Sequence, residues 1–230
     1  MTTFALLTHP EQDGVVAWQG GQPVTVGRFL ADVHALAARL PAGEHVFNAC
    51  TDRYRFTVGL RRAAMRQGEP APLGANPGMV RQLAAFAPDV FCLHDDADCS
   101  VALPRFAYNA SEAREERPAA HLPVPVPVPE IPADRLMAYV FTSGTTGQPV
   151  AHAKTWGAMV RGARATAQRL GLLDGRAWTL VGTLPPQHMF GLEATVMLAL
   201  QAGAALASAP AFYPADIRAA LADVPRRARW

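Results

Sequence analysis

Three observations predict an α/β fold, with layered, mostly parallel sheets flanked by helices. Short apolar runs alternate with longer stretches in which apolar residues recur at helical spacing. Glycine and proline mark many of the junctions between them. Half of the 230 residues are hydrophobic and only 17% are charged, which suits a substantial core and argues against a disordered chain.

Val15 to Trp18 and Pro23 to Val26 flank Gly20-Gly21, the pattern of a hairpin. Arg28 to Leu40 carries Phe29, Leu30, Val33, Leu36, Ala37 and Leu40 at helical spacing, and Pro41 to Gly43 ends it. His45 to Ala49 reads as a buried strand, Asp52 to Gln67 as a helix and Ala71 to Leu73 as a short strand. Asn76 to Phe86 reads as a helix with Pro77 in its first turn, and Asp89 to Leu93 as the next strand.

Asp95 to Asp134 breaks the rhythm. It holds the charged run from Ser111 to Arg117, and then prolines at every second position from Pro123 to Pro129. That alternation forces an extended, polyproline-like path and reads as a stiff connector. Alternation then resumes. Met137 to Phe141 and Pro149 to Lys154 read as strands. Trp156 to Leu170 reads as a helix with Met159, Val160, Ala163, Ala167 and Leu170 inward. Ala177 to Gly182 is a strand, about Gly191 to Gln201 a buried helix and Ala204 to Ser208 a strand. The expected organisation is a first α/β lobe over 1–96, a Pro-rich extended connector over 97–134 and a second α/β lobe over 135–230.

Composition excludes several classes. A net charge of +2 without a basic tract argues against nucleic acid as a partner. Cys50, Cys92 and Cys99 have no CxxC spacing, so they read as buried or free thiols in a reducing, cytoplasmic setting. The N-terminus has no basic region before its short apolar run, unlike a signal peptide. Ala194 to Phe212 is nearly uncharged, but its glycine, glutamine and many alanines make a poor membrane span.

The most informative stretch is Thr142-Ser143-Gly144-Thr145-Thr146-Gly147, set between an apolar run and a return strand that starts with Pro149. Glycines let the backbone curl so that successive N–H groups converge on an anion, and the hydroxyls add neutral donors there. No Asp or Glu occurs between Arg135 and Leu173, whereas Arg135, Lys154, Arg161, Arg164 and Arg169 supply positive charge. Lys154 is the only lysine in the chain. The pattern fits a triphosphate site. It is not a Walker loop, because Gly147 is not followed at the required spacing by Gly-Lys-Ser/Thr.

Tyr139 to Pro149 resembles the phosphate-loop signature of the adenylate-forming superfamily, the acyl-CoA synthetases and AMP-dependent ligases. Pro185-Pro186-Gln187-His188-Met189-Phe190-Gly191 is similar to that family's Pro-x-x-His-x-x-Gly segment, which lines the acyl pocket. Arg66-Gln67-Gly68 with Pro70 and Pro72, and Asn76-Pro77 beyond, more weakly resembles its early Gly-x-x-x-x-Pro turn. The resemblance implies activation of a small carboxylic acid by ATP and Mg2+ as acyl-AMP. The acyl group then passes to a thiol, that of coenzyme A or of an acyl carrier protein.

It also implies later motifs that are not found in these residues: the glutamate that binds magnesium, a ribose-binding Asp and a lid carrying the catalytic Lys. The chain is therefore expected to be the N-terminal portion of a longer enzyme, inactive on its own, as a shortened form or a proteolytic product. By the same resemblance, Thr142, Ser143, Gly144, Thr145, Thr146 and Gly147 bind the β- and γ-phosphates. His188 and Gly191 belong to the acid-binding segment, with His188 packing or gating.

The signature departs from the family at one place, where Pro149-Val150-Ala151 stands for Pro-Lys-Gly. Val150, His152 and Lys154 share one side of the return strand, so Lys154 is a candidate to replace part of the missing charge. Two other readings remain open: a non-catalytic member that still holds nucleotide or acyl groups, and a serine hydrolase using Ser143, His188 and Asp174. The hydrolase reading lacks a Gly-x-Ser-x-Gly elbow, since Phe141 occupies the first glycine position.

Overall fold

The computed structural model describes residues 1–41, 45–65, 77–108, 125–142 and 150–224. Ser143 to Gly147 of the expected phosphate loop, the expected strand at Ala71 to Leu73, the turn at Arg66 to Pro72 and the charged run from Ser111 to Arg117 lie outside them.

The chain starts with β1 (Thr3–Ala5), then β2 (Val15–Gln19) and β3 (Gln22–Thr25), which pair antiparallel. Gly20 and Gly21 make this turn at φ 53° and 76°, a conformation open to glycine without a Cβ penalty. Thr25 then caps α1 (Val26–Arg39), its hydroxyl accepting the Arg28 N–H at 3.3 Å. Val26, Phe29, Leu30, Val33 and Leu36 form the buried stripe of α1. Phe29 and Leu30 are fully enclosed, and burial of each such side chain contributes about 1.5–3 kcal/mol.

β4 (Val46–Asn48), β5 (Phe91–His94) and β6 (Arg105–Ala107) form a parallel three-stranded sheet. α2 (Arg53–Met65) and α3 (Pro77–Phe86) lie between β4 and β5 in sequence. β7 (Glu130–Pro132) pairs antiparallel with β1. β8 (Leu136–Thr142) and β9 (Val150–Thr155) form an antiparallel hairpin that runs into α4 (Trp156–Leu170). After β10 (Thr179–Leu180) comes a continuous helical stretch. It consists of α5 (Met189–Gly191), a π-helical segment (Leu192–Met197) and α6 (Leu198–Ala202). β11 (Ala205–Ala207) and α7 (Pro214–Ala222) follow.

The four-stranded sheet has the order β10-β11-β2-β3, with β10, β11 and β2 mutually parallel. It takes β2 and β3 from the expected first lobe and β10 and β11 from the second. The main core is likewise shared, with Val16, Phe29 and Leu30 in one cluster with Met137, Trp156, Met197 and Leu206. The stretches 1–96 and 135–230 thus share one sheet and one core.

The described parts of the segment expected as a connector carry two short strands, β6 and β7, and its residues from Val126 to Pro129 pack on the body. Val126 is buried, its carbonyl accepts from Gln12 Nε2 at 2.9 Å, and Pro129 O accepts from Leu6 N at 2.9 Å. Leu170, expected inward, is 37% exposed. Gly171 turns the chain at φ 70°, and its N–H returns to the Ala167 and Gln168 carbonyls. Leu172 takes the buried position instead, its N–H bonded to Ala167 O at 2.9 Å. Among the described residues, no helix is long and apolar enough to cross a membrane.

Candidate functional site

In open α/β sheets, ligands bind beyond the carboxyl ends of parallel strands. Here the loops that leave β4, β5, β10 and β11 at those ends are tied together. Beyond β4 and β5, Asp95 accepts from Thr51 N at 2.8 Å, Thr51 Oγ1 at 3.2 Å and Asp52 N at 3.0 Å. Asp52 starts α2 by accepting from Arg55 N at 2.9 Å, and it also accepts from Ser208 Oγ, just past β11. Gln187 Nε2, in the Pro-x-x-His segment, donates to Cys50 O.

Arg53 is the centre of this junction. Its side chain is fully buried, and its Nη1 donates to Ala209 O at 2.6 Å. Nη2 donates to Gly182 O at 2.5 Å and Leu184 O at 3.1 Å. Burial lowers the pKa of its guanidinium, and the neighbouring Asp52 opposes that shift. Arg53, Asp52, Asp95 and the Gln187 contact escape a reading of the sequence. Their partners lie 43 to 156 residues away, and no local spacing announces them.

Pro185 to Gly191 forms a tight turn into α5. His188 N bonds Pro185 O at 3.1 Å, and His188 Nδ1 accepts the Phe190 N–H at 3.2 Å, capping the helix. A Cβ on Gly191 would stand 2.1 Å from Pro185 O, so only glycine lets the turn close onto the helix. The exposed Glu193 sits in the first turn of the π segment, where the helix dipole favours a carboxylate. π segments inside helices recur at functional sites. Gly191→Ala is expected to lower stability by about 1–3 kcal/mol through overpacking, as measured by urea unfolding. An unchanged midpoint would contradict the tight contact.

The β8–β9 hairpin frames the segment expected to bind phosphate. Thr142 pairs with Val150, so the two ends of the seven-residue Ser143 to Pro149 segment start from adjacent backbone positions. The strand that leads into the loop is anchored by aromatic contacts. Phe86 of α3 meets Tyr139 edge-on at a centroid distance of 4.8 Å and Phe141 at 5.5 Å. Phe141 also packs on the cluster formed by Phe47, Leu83 and Cys92. The Cys92 thiol, pushed up to about 12 chiefly by burial, remains protonated there.

Lys154 is half-buried and pairs with Ala138, while His152 is exposed and pairs with Val140. Lys154 stands four residues along the strand from Val150, roughly 13 Å. Any contact with a ligand at the loop therefore has to be made back across the strand face. Thr142 and Lys154 thus belong to the hairpin, whereas His188 and Gly191 belong to the turn beyond β10.

Asp174 is occupied by neighbours other than a histidine. It accepts from Arg176 N, Arg176 Nε and Trp178 Nε1, and Arg176 stacks 4.4 Å from the Trp178 ring centroid. The hydrogen bond from Arg176 holds the Asp174 carboxyl down at about 2, against an ordinary 3.8. Because the folded value is depressed, the contribution of this knot is complete above pH 3.8 and is lost as pH falls through about 2. A carbon-13 titration of the Asp174 carboxyl should give a midpoint near 2, and a midpoint of 3.8 would contradict the knot. A cavity of about 660 Å3 is lined by Thr8, Arg164, Gln168, Arg176 and Gln201 among others and, among the described residues, by none of either motif. Among the described residues, no group of three or more His, Cys, Asp or Glu side chains is placed to hold a metal ion.

Residues 38–228 match the model of the AMP-binding enzyme family, and the chain belongs to that family. A stretch of 75 residues is 36% identical to a 4-coumarate–CoA ligase of Rhodobacter capsulatus, covering 33% of this chain and 20% of the ligase. Among solved structures, the fold is similar to O-succinylbenzoate coenzyme A synthetase from Bacillus subtilis in complex with ATP and magnesium. That match has a TM-score of 0.70 at 16% identity, over 91% of this chain and 57% of the synthetase. It is also similar to VinN in complex with L-aspartate, with a TM-score of 0.72 at 19% identity, over 91% and 61% of the two chains. The chain thus spans between a fifth and about three fifths of the length of these relatives.

Proposed function

We propose that the complete polypeptide is an ATP-dependent carboxylate–AMP ligase, in which this chain supplies the loop that grips the triphosphate and part of the wall that holds the acid. The reading rests above all on the β8–β9 hairpin, which brings together the two ends of a segment rich in hydroxyls and glycine. Thr142, Ser143, Gly144, Thr145, Thr146 and Gly147 bind the β- and γ-phosphates of ATP. A carboxylate oxygen of the substrate attacks the α-phosphorus, and the bond to the bridging oxygen of pyrophosphate breaks. Charge gathers on the departing pyrophosphate, where backbone N–H groups and hydroxyls already oriented towards it stabilise that charge without reorganising. Mg2+ neutralises phosphate charge when bound, and its glutamate ligand is assigned to the part of the polypeptide beyond this chain.

His188 and Gly191 shape the acid-binding wall. His188 caps the helix through its Nδ1, and we assign it packing or gating there rather than proton transfer. Lys154 adds positive field from the strand face in place of the lysine that Val150 replaces. The acyl group then passes to the thiol of coenzyme A or of an acyl carrier protein. A cytoplasmic location suits the unpaired state of Cys50, Cys92 and Cys99.

A pyrophosphate-release screen of the complete polypeptide over aliphatic and aryl acids tests the reading. Release that depends on both ATP and one class of acid is expected. The substitution at Val150 favours a second reading, a member that binds nucleotide without turnover. Nucleotide binding with no release for any acid would support it. Lys154→Ala is expected to weaken ATP binding several-fold, by about 0.5–1 kcal/mol, as a partly solvated charge acting at a distance does. Unchanged affinity would remove Lys154 from the site.

A further inference from the structure

Arg53 lies buried at the seam between two sets of strand ends, and among the described residues no carboxylate bonds its guanidinium. Asp52, next to it in sequence, is engaged with Ser208 Oγ and Arg55 N. The Arg53 Nε–H is buried and unbonded, and a Cβ at Gly182 would stand 2.7 Å from Nε. A buried cation satisfied only by carbonyls is an expensive way to fill space, and an apolar side chain of similar volume often serves stability as well or better.

What a guanidinium offers instead is a rigid planar fork that holds several acceptors in one fixed geometry. All three acceptors here are backbone carbonyls just beyond strands. Gly182 and Leu184 follow β10 and lead into Pro185, and Ala209 follows β11. Gln187 closes the same seam from the opposite side, its amide donating to Cys50 O.

We propose that Arg53 is a positioning residue that fixes the segments leaving β10 and β11, and through them the Pro185 to Gly191 wall against which the carboxylic acid binds. The role at the acid rests on the ligase reading above, whereas the fixing of the two segments does not. Gln187 is the second tie across this seam. Neither residue touches the reacting atoms. Their effect is on the shape of the wall that receives the acid.

Amide hydrogen exchange on the 230-residue chain separates positioning from space-filling. Arg53→Met, which keeps the volume, is expected to speed exchange about tenfold or more in 183–191 and 208–213 while α4 keeps its protection. Arg53→Lys should fall between this variant and the native chain, and Gln187→Ala should loosen 183–191 alone. Native exchange rates in all three variants would overturn the proposal. If Arg53→Met does not fold, Arg53→Lys and Gln187→Ala decide in the same way.

In the complete polypeptide, Arg53→Met should raise KM for the acid about tenfold or more, with KM for ATP moving less than about twofold, because displacement of a positioning wall by an ångström has effects of this order. An unchanged acid KM beside an active native enzyme overturns the proposal. A native enzyme that forms no adenylate overturns the ligase reading instead, and the exchange rates then decide on Arg53 alone.

Discussion

Gly147→Leu in the complete polypeptide is expected to abolish adenylate formation while the fold stays intact. The proposed loop works by aiming backbone N–H groups at the β- and γ-phosphates, and glycine is the residue that lets a chain curl tightly enough to do so. A branched side chain there removes the unusual backbone conformations and fills the space the phosphates need. Loss of one preorganised donor in a charge-stabilising site costs about 10²- to 10³-fold in rate, so loss of the loop geometry should exceed about 10²-fold. The segment joins the paired ends of a hairpin, so unfolding should shift by no more than about 0.5 kcal/mol. Pyrophosphate release and urea unfolding on the same preparation check both halves. Undiminished release would remove the loop from the mechanism.

Trp156→Ala carries the largest expected loss of stability. Trp156 opens α4 where the β8–β9 hairpin ends, and it is 1% exposed. Its indole Nε1 donates to Phe4 O of β1 at 3.1 Å, and its backbone N–H donates to Arg135 O at 2.8 Å. Removing the ring leaves a cavity in the main core and an orphaned carbonyl, together worth about 3–5 kcal/mol. Trp156→Phe keeps most of the packing and loses the hydrogen bond, for about 1 kcal/mol. Urea unfolding of both variants gives the comparison. A cost below about 1 kcal/mol for alanine would contradict the packing described here.

Local physics explains which elements a reader of the sequence recovers. The β2–β3 turn is legible because two adjacent glycines at positive φ have few other uses. α4 is legible to the residue, from Trp156 to Leu170. β6 and β7 are not legible. Each has three residues, too few for a period to show; β7 pairs with the distant β1, and β6 adds to the edge of β5. Leu170 misleads because helical spacing continues through it, whereas the left-handed turn at Gly171 redirects the chain one residue later.

The candidate site divides along the same line. The hydroxyl-and-glycine loop and the Pro-x-x-His turn are contiguous in sequence, so residue type and spacing reveal them. Arg53 and Gln187 act across 129 and 137 residues, and their significance appears only when the strand ends meet. An arginine at the start of a helix reads as a surface charge until three carbonyls are found around it.

In the proposed enzyme, the segment from Thr142 to Gly147 holds the polyphosphate of ATP. Crystals of the complete polypeptide soaked with a non-hydrolysable ATP analogue test it most directly. Density for the β- and γ-phosphates within hydrogen-bond distance of backbone N–H groups and hydroxyls of 142–147 is the expected result. A polyphosphate seated elsewhere on the protein, with that segment untouched, would contradict the account.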